Sequence, residues 1–599
     1  MSEAEHVIGI DLGTTHTALA WAAPAKGDAV HAERITQLVT ATELDDRALL
    51  PSFVYFAHES EGALPLPWDA ARRHAVGEYA RSRGVEAPTR LVASAKSWLS
   101  HTGIDRRAGV LPLGAPDEID KISPVEAAWH YLDHLGEAWN ATHGCSLADQ
   151  EIIITVPASF DAAARDLTVE AAYAAGFEEV SLLEEPQAAL YAWIEGTGAA
   201  WRQHLGVGEV ILVIDIGGGT TDFSAMVVRE REGELELHRV AVGDHILLGG
   251  DNMDLALAHV VKAKLATEGT ELDRWQMTAL THGCRQAKER ILFDASIDAV
   301  PITIPSRGSQ LLGGSLRAEL SRSEVERTLL DGFFPEVDAT ARPATRARTA
   351  LTQVGLPYAA DPAITRHLAS FLTRQASATG SEQREMLTPS RVLFNGGVLK
   401  ATALRERLLS VLSAWVRDAG APAPRVLPGE DLDLAVARGA AYYGLVRRGR
   451  GLRIRGGTAR AYYVGVESPA PAVPGVEPPI NALCVAPFGM EEGTEAPLPP
   501  HQLGVVVGEP VRFRFFATSV RRDDRAGTQL EDWSPEELEE VAPIEVTLPA
   551  DGREEGDVVS VRLHASVTPV GTLLLEAEPL EPVVEGERWK VELSVRTPD

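Results

Sequence analysis

The chain of 599 residues carries 56 Lys and Arg against 86 Asp and Glu, a formal charge of −30 at neutral pH, which excludes a generally basic nucleic-acid coat. At roughly 100 to 200 residues per domain the length allows about three to five compact units, and 45% hydrophobic content can bury real cores. Cys145, Cys284 and Cys484 lie far apart, so there is no CxxC pair, zinc spacing or disulfide framework, as expected of a reducing compartment.

The N-terminus, MSEAEHVIGIDLG, has acids where a secretory leader has Lys or Arg, and it enters a strand-like apolar run at once. No apolar run approaches the roughly 20 residues of a bilayer span. A soluble, cytoplasmic protein without membrane or nucleic-acid partners is the expectation. The helical stretch SAKSWLS carries Lys96, and WHYLDH places His130 and His134 four apart on a helix without a third ligand or a Glu base, which argues against a metal site. EIIITVP (151–157), a helix near 161–175, VSLLEE (180–185), a helix near 186–195 and VILVIDIG (210–217) then alternate in the manner of an α/β region with buried strands.

That alternation runs to about Val446. RRGRGLRIRGGTAR (447–460), with six arginines and no acid, reads as a flexible linker. Beyond it VRFRFF (511–516), IEVTL (544–548), VSVRLHASV (559–567), GTLLLEAEP (571–579) and WKVELSV (589–595) have period two between Pro, Gly and Asp, which predicts an all-β sandwich over 461–599. Ten Lys and Arg against 26 Asp and Glu fall in that region. They form either a solvated surface or one that attracts basic peptide or the arginine linker. The expected organisation is 1–446, 447–460 and 461–599.

One pattern occurs twice. VIGIDLGTTHTALA (7–20) returns in outline as LVIDIGGGTTDFSAM (212–226), each with an Asp at a strand end, a Gly/Thr turn and another strand. The glycines let backbone N–H groups close on phosphate oxygens, the Thr hydroxyls add donors, and the Asp suits a hydrated divalent ion. One such turn is weak evidence. Two, one per half of an α/β region, point to a cleft that clamps a nucleotide from both sides. The GxxxxGK[ST] pattern, a Ser/His/Asp elbow and GxGxxG in context are absent.

Further segments follow in order: IIITVPASFDAAARDLTVEAAYAAGF (152–177), LLEEPQAALYA (182–192), HILLGGDNMD (245–254), VLFNGGVLKATALRERL (392–408) and DLAVARGAAYYG (433–444). With the two turns, over residues 6–446, the chain resembles the actin-like ATPase superfamily and, within it, the seventy-kilodalton heat-shock (DnaK-like) chaperones. The resemblance implies a two-lobed ATPase that binds ATP or ADP with Mg²⁺, and K⁺ as a further ion, followed by a β-sandwich that binds extended polypeptide. It implies a J-protein and a nucleotide exchange factor as partners. Gly13, Thr14 and Thr15, and Gly217, Gly218, Gly219 and Thr220, would be the phosphate turns. Asp11, Asp215 and Asp222 would hold hydrated Mg²⁺, Lys96 would position the attacking water, and Glu185 would orient water near the metal. Gly249 and Gly250 match the second-lobe turn, and Lys288, Gly396, Gly397, Lys400 and Asp433 the adenosine side. Pro157 and Arg165 match the pair that relays nucleotide state.

The chain departs from that pattern in places. Lys400 stands where the family has an arginine stacked on the base, and lysine does not stack as guanidinium does. Arg285 replaces a glutamate at the ribose and Phe293 a small serine at the adenine. The segment 357–389 is longer than its counterpart, and the linker keeps only Leu452 and Ile454 of an apolar strand, which suggests electrostatic docking. Val485, Phe488 and Met490 are loop candidates for a peptide pocket, against a reading as ordinary core. The chain reaches Asp599 without a helical lid, so peptide exchange is expected to be fast. An adaptor or exchange factor that binds nucleotide without hydrolysing it, and a small-molecule kinase of the same superfamily, are the alternatives.

Overall fold

The computed structural model describes residues 4–594, except 28, 102, 114, 116–118, 232–233, 306–315, 346–354, 377–384, 430, 451–453, 456–457, 459, 469–478, 491–493, 497, 499–502, 519–520, 522, 535–536, 569–571 and 584–586. Two compact units divide the chain: Met1–Ser159 with Leu167–Arg453, and Phe160–Asp166 with Ile454–Asp599.

The first unit contains two sheets of matching plan. In one, the strands run Val180–Glu184, Glu151–Val156, Val7–Leu12, His16–Ala22 and Val30–Ala32. The central strand Val7–Leu12 pairs parallel with Glu151–Val156 and antiparallel with His16–Ala22. In the other, Val210–Ile216 pairs parallel with Arg391–Asn395 and antiparallel with Thr221–Arg231, which in turn pairs antiparallel with Glu234–Val242. The repeated sequence pattern is therefore a repeated topology. Val210 to Ile216 are all buried, which is why the strand reads as an uninterrupted apolar run.

Small residues determine the closest packing. The helix Ala435–Arg447 lies against Val7–Leu12 and the helix Glu185–Thr197. A Cβ on Gly439 would sit 1.7 Å from the Ala188 carbonyl oxygen, and one on Gly9 2.2 Å from that of Ala437. Only the absence of a side chain allows backbones to approach so closely. Two arginines read as linker belong here: Arg447 ends this helix, and Arg448 binds Glu151 at 2.8 Å and the Ala4 carbonyl at 3.2 Å.

The long segment 357–389 is more than a loop, because it contains the amphipathic helix Ile364–Arg374. Its Ile364, Leu368, Phe371 and Leu372 enter the core of the second sheet, where Phe371 meets Phe223 at 5.8 Å. Residues 377–384 of that segment, and Leu452 of the linker, lie outside the described residues.

The second unit is a sandwich. One sheet runs Gln529–Leu530, Ile480–Ala486, Ala461–Glu467, Pro510–Thr518 and Glu539–Thr547, and the other is built on Val558–Val567, Thr572–Pro579 and Trp589–Ser594. Tyr462, Val464, Leu483, Val485 and Phe515 meet Val561, Leu563, Leu573 and Trp589 in the core between them. The alternate residues Tyr463, Cys484 and Phe516 form a second cluster on the first sheet's other face, with Leu538, as period two requires. Val485 is thus a core strand residue and not a loop residue. Met490 joins the same core, and Phe488 packs on the second cluster. Val485 and Met490 are buried core residues, and Phe488 is partly buried. No described helix of either unit is long and apolar enough to cross a membrane.

Candidate functional site

A cleft of about 310 Å³ opens between the two sheets of the first unit, within the size range of small-ligand sites. Register places its acids. Asp11 stands opposite Thr155 and Asp215 opposite Asn395 and Asp222, near the ends of the two central strands. Each strand passes directly into its Gly/Thr turn. Gly13, Thr14 and Thr15 line one wall, and Gly217, Gly218 and Thr220 the other. The walls nearly touch: a Cβ on Gly218 would fall 2.1 Å from Thr15 Cγ2. Ser52 anchors the first turn by donating from its hydroxyl to the Gly13 carbonyl at 2.7 Å, and from its backbone to Thr15.

Lys96 enters from the short helix Ala95–Leu99. The preceding Ser94 takes a left-handed conformation, φ 55°, ψ 29°, which is uncommon for a non-glycine residue and clusters at functional sites. Its hydroxyl donates to Asp251 across the cleft at 3.1 Å. Lys96 pairs with Glu185, at the first position of the helix Glu185–Thr197, and both are 9% exposed.

The electrostatics are those of a concentrated anionic site. Burial pushes the Asp11 carboxyl up to about 7, opposed by the Lys96 charge. Burial, reinforced by Glu185, holds Asp215 well above the carboxylate range, although Asn395 donates to it at 2.7 Å. Asp222, one layer behind, is raised by burial against hydrogen bonds from Ser159 and Thr220. For Lys96 burial works against the charged form, but Glu185 and Asp11 outweigh it and raise the pKa. Buried carboxylates in this state favour a cation, and their hard oxygens suit Mg²⁺. Among the described residues no three His, Cys, Asp or Glu side chains converge to ligate an ion directly.

On the opposite side Gly396, at φ +87°, has no room for a Cβ, which would meet the Ile216 carbonyl oxygen at 2.3 Å. Gly397, Lys288, Lys400 and Asp433 also line the cleft. Lys400 is 2.6 Å from Asp433 and 5.2 Å from the centre of the half-exposed Phe293 ring. Arg285 is held by Asp251 and, at 2.7 Å, by Asp254, which also pairs with Lys288 at 2.7 Å.

Several expected residues take supporting positions. The Gly250 and Asp251 N–H groups donate to the Gly217 and Gly218 carbonyls, so the Gly249–Gly250 turn braces the second phosphate turn, and these two donors are already used. Gly219 and Gly249 do not line the cleft. Pro157 follows the strand Glu151–Val156, and the buried Arg165 donates to its own segment's Phe160 carbonyl at 3.2 Å. His134 contacts the Thr36 carbonyl at 3.0 Å, while His130 packs on His74 with ring centres 4.5 Å apart.

Asn395, Asp251, Asp254 and His16 line the cleft without having been singled out. Asn395 precedes Gly-Gly at a strand end, as the two Asp residues precede their turns. Asp251 and Asp254 are three apart on one helix and face Arg285 and Lys288, three apart on another, a spacing visible in the sequence.

Two lobes of one topology, each supplying an Asp–Gly–Thr turn to a shared cleft and followed by a β-sandwich, define an actin-like nucleotide-binding fold with an appended β unit. A family profile described as Hsp70 protein matches residues 7–347, and the chain belongs to that family. It is similar to the chaperone protein HscA of Pectobacterium atrosepticum, 31% identical over 54% of this chain and 47% of the relative. It is also similar to the HscA homologue of Methylococcus capsulatus, 32% identical over 54% and 48%, and to that of Vibrio cholerae, 33% identical over 47% and 41%. The chain spans about half the length of the curated relatives it matches.

Proposed function

We propose that the protein is an ATP-dependent chaperone of the DnaK type, which couples ATP binding and hydrolysis in the first unit to binding and release of extended polypeptide by the second. The observation that carries this reading is the convergence of both Asp–Gly–Thr turns on the buried Lys96–Glu185 pair. Backbone donors of the turns, with the hydroxyls of Thr14, Thr15 and Thr220, bind the phosphates. Asp11, Asp215 and Asp222 would hold hydrated Mg²⁺, which would supply positive charge to offset that of the phosphates. Lys96, kept cationic by Glu185 and Asp11, binds and orients the attacking water, and Glu185 holds the ammonium in place. Lys288, Lys400 and Asp433 hold the nucleoside end. Peptide is captured along strand edges of the sandwich by backbone hydrogen bonds, with a J-protein and an exchange factor as partners in the cytoplasm.

Single-turnover hydrolysis of ATP tests the reading. Lys96→Ala is expected to slow phosphate release by about 10²-fold or more while ATP still binds. Equal rates in the wild type and the variant would overturn the catalytic assignment and leave a nucleotide clamp. Phosphate release without any added metabolite separates the ATPase from a kinase.

A further inference from the structure

His245 begins the HILLGGDNMD segment, and nothing in the function above uses it. Its backbone is tightly placed: Gly243 donates to the Phe223 carbonyl at 2.8 Å, and Thr221 donates to that of Ile246 at 2.9 Å. Asp244 is paired at 3.1 Å with Arg374 of the added helix Ile364–Arg374. The imidazole is therefore held beside the strand that carries Asp222, and it reaches from that lobe to the one that carries Lys96. Its Nδ1 lies 2.7 Å from Ser159 Oγ, just beyond the strand Glu151–Val156, and its Nε2 lies 3.1 Å from Ser100 Oγ, at the C-cap of the Lys96 helix. Ser159 donates its hydroxyl proton to Asp222. That leaves a Ser159 lone pair for His245, so Nδ1–H is the donor, and Nε2 faces a Ser100 hydroxyl within reach of both the ring and the Ser97 carbonyl at 2.9 Å.

We propose that His245 is a positioning residue for hydrolysis, a strut joining the Lys96 helix of one lobe to Asp222 of the other through Ser100 and Ser159. It does not line the cleft. By holding the two walls at one separation it keeps Lys96 and the aspartates in register, and a misplacement of about 1 Å can cost on the order of 10²-fold in rate. The inference rests on the hydrolysis reading above.

The test uses the full chain, with ATP affinity and single-turnover hydrolysis measured together. His245→Ala is expected to lower the rate about tenfold or more with ATP affinity within about twofold. His245→Asn, whose amide can still donate to Ser159, is expected to recover part of the loss. Ser159→Ala with His245→Ala is expected to be no slower than the slower single variant, since both break one chain of bonds. Unchanged hydrolysis in His245→Ala, full additivity of the double variant, or a proportional loss of ATP affinity in His245→Ala would each overturn the strut. A wild type that binds ATP without turnover overturns the hydrolysis reading, and this proposal with it; a wild type that hydrolyses ATP while His245→Ala matches it overturns this proposal alone.

Discussion

Lys400 illustrates how one side chain alters a binding surface. It is bound to Asp433 and lies over Phe293, where an ammonium provides charge but no flat face. Lys400→Arg adds a planar group that stacks on a ring, and cation–π gains at exposed sites are about 0.5–1 kcal/mol. Calorimetry is expected to show ATP binding tightened about threefold, with inorganic tripolyphosphate unaffected. A second residue-scale consequence concerns acid. Burial holds His74, His130 and His134 each down to about 3, with Arg72 adding repulsion. Arg72 in turn pairs with Asp133 at 3.5 Å and Glu137 at 2.9 Å. Their folded pKa values lie below the ordinary 6.5, so the unfolded chain takes up protons first as pH falls. Stability from this cluster is complete above about pH 6.5 and is lost toward about pH 3, by up to ~1.4 kcal/mol per unit for each histidine. Thermal melts are expected to fall from pH 7 to pH 5, and less steeply in His130→Phe.

At the scale of elements, the helix Ala435–Arg447 is specified by what it lacks. Gly439→Ala drives a methyl into the Ala188 carbonyl and is expected to cost about 3 kcal/mol or more, seen as a lowered denaturation midpoint. Gly196→Ala, with nothing within 4 Å of the added carbon, is the control and should be neutral or slightly stabilising. The strands around both Asp–Gly–Thr turns were legible because buried parallel strands are written as unbroken Val, Ile and Leu, and because the motif occurs twice. The helix Ile364–Arg374 was not. Its eleven residues have no side-chain N-cap, and its apolar face acquires meaning only against Phe223. Val485 misled for a related reason: in LCVAPFG the strand end and the turn share one apolar run, and only pairing with Tyr463 and its neighbours shows where the strand stops. The bridge through His245 was invisible because its members lie at 100, 159, 222 and 245, and only the fold brings them together.

For the whole molecule, the charge division acquires an address. Arg447 and Arg448 serve Glu151 within the first unit, and Arg460 pairs with Glu539 at 2.6 Å within the second. Of the six arginines between 447 and 460, the other three, Arg450, Arg453 and Arg455, are where electrostatic coupling can be tested without removing these ion pairs. Replacing those three with serine is expected to leave basal ATP hydrolysis within about twofold and to abolish its stimulation by added peptide. Retained stimulation would mean that coupling does not use these charges.

The bond between Arg448 and the Ala4 carbonyl joins residues 444 positions apart, and the strand Val7–Leu12 packs on the helix Ala435–Arg447. A central strand of the first lobe is thus made more than 400 residues before the helix that covers it. At about 5–20 residues per second of synthesis, the strand waits on the order of tens of seconds on the ribosome with one face uncovered. For that interval the nascent polypeptide exposes an uncovered apolar strand, the kind of surface that makes incompletely folded chains prone to aggregate.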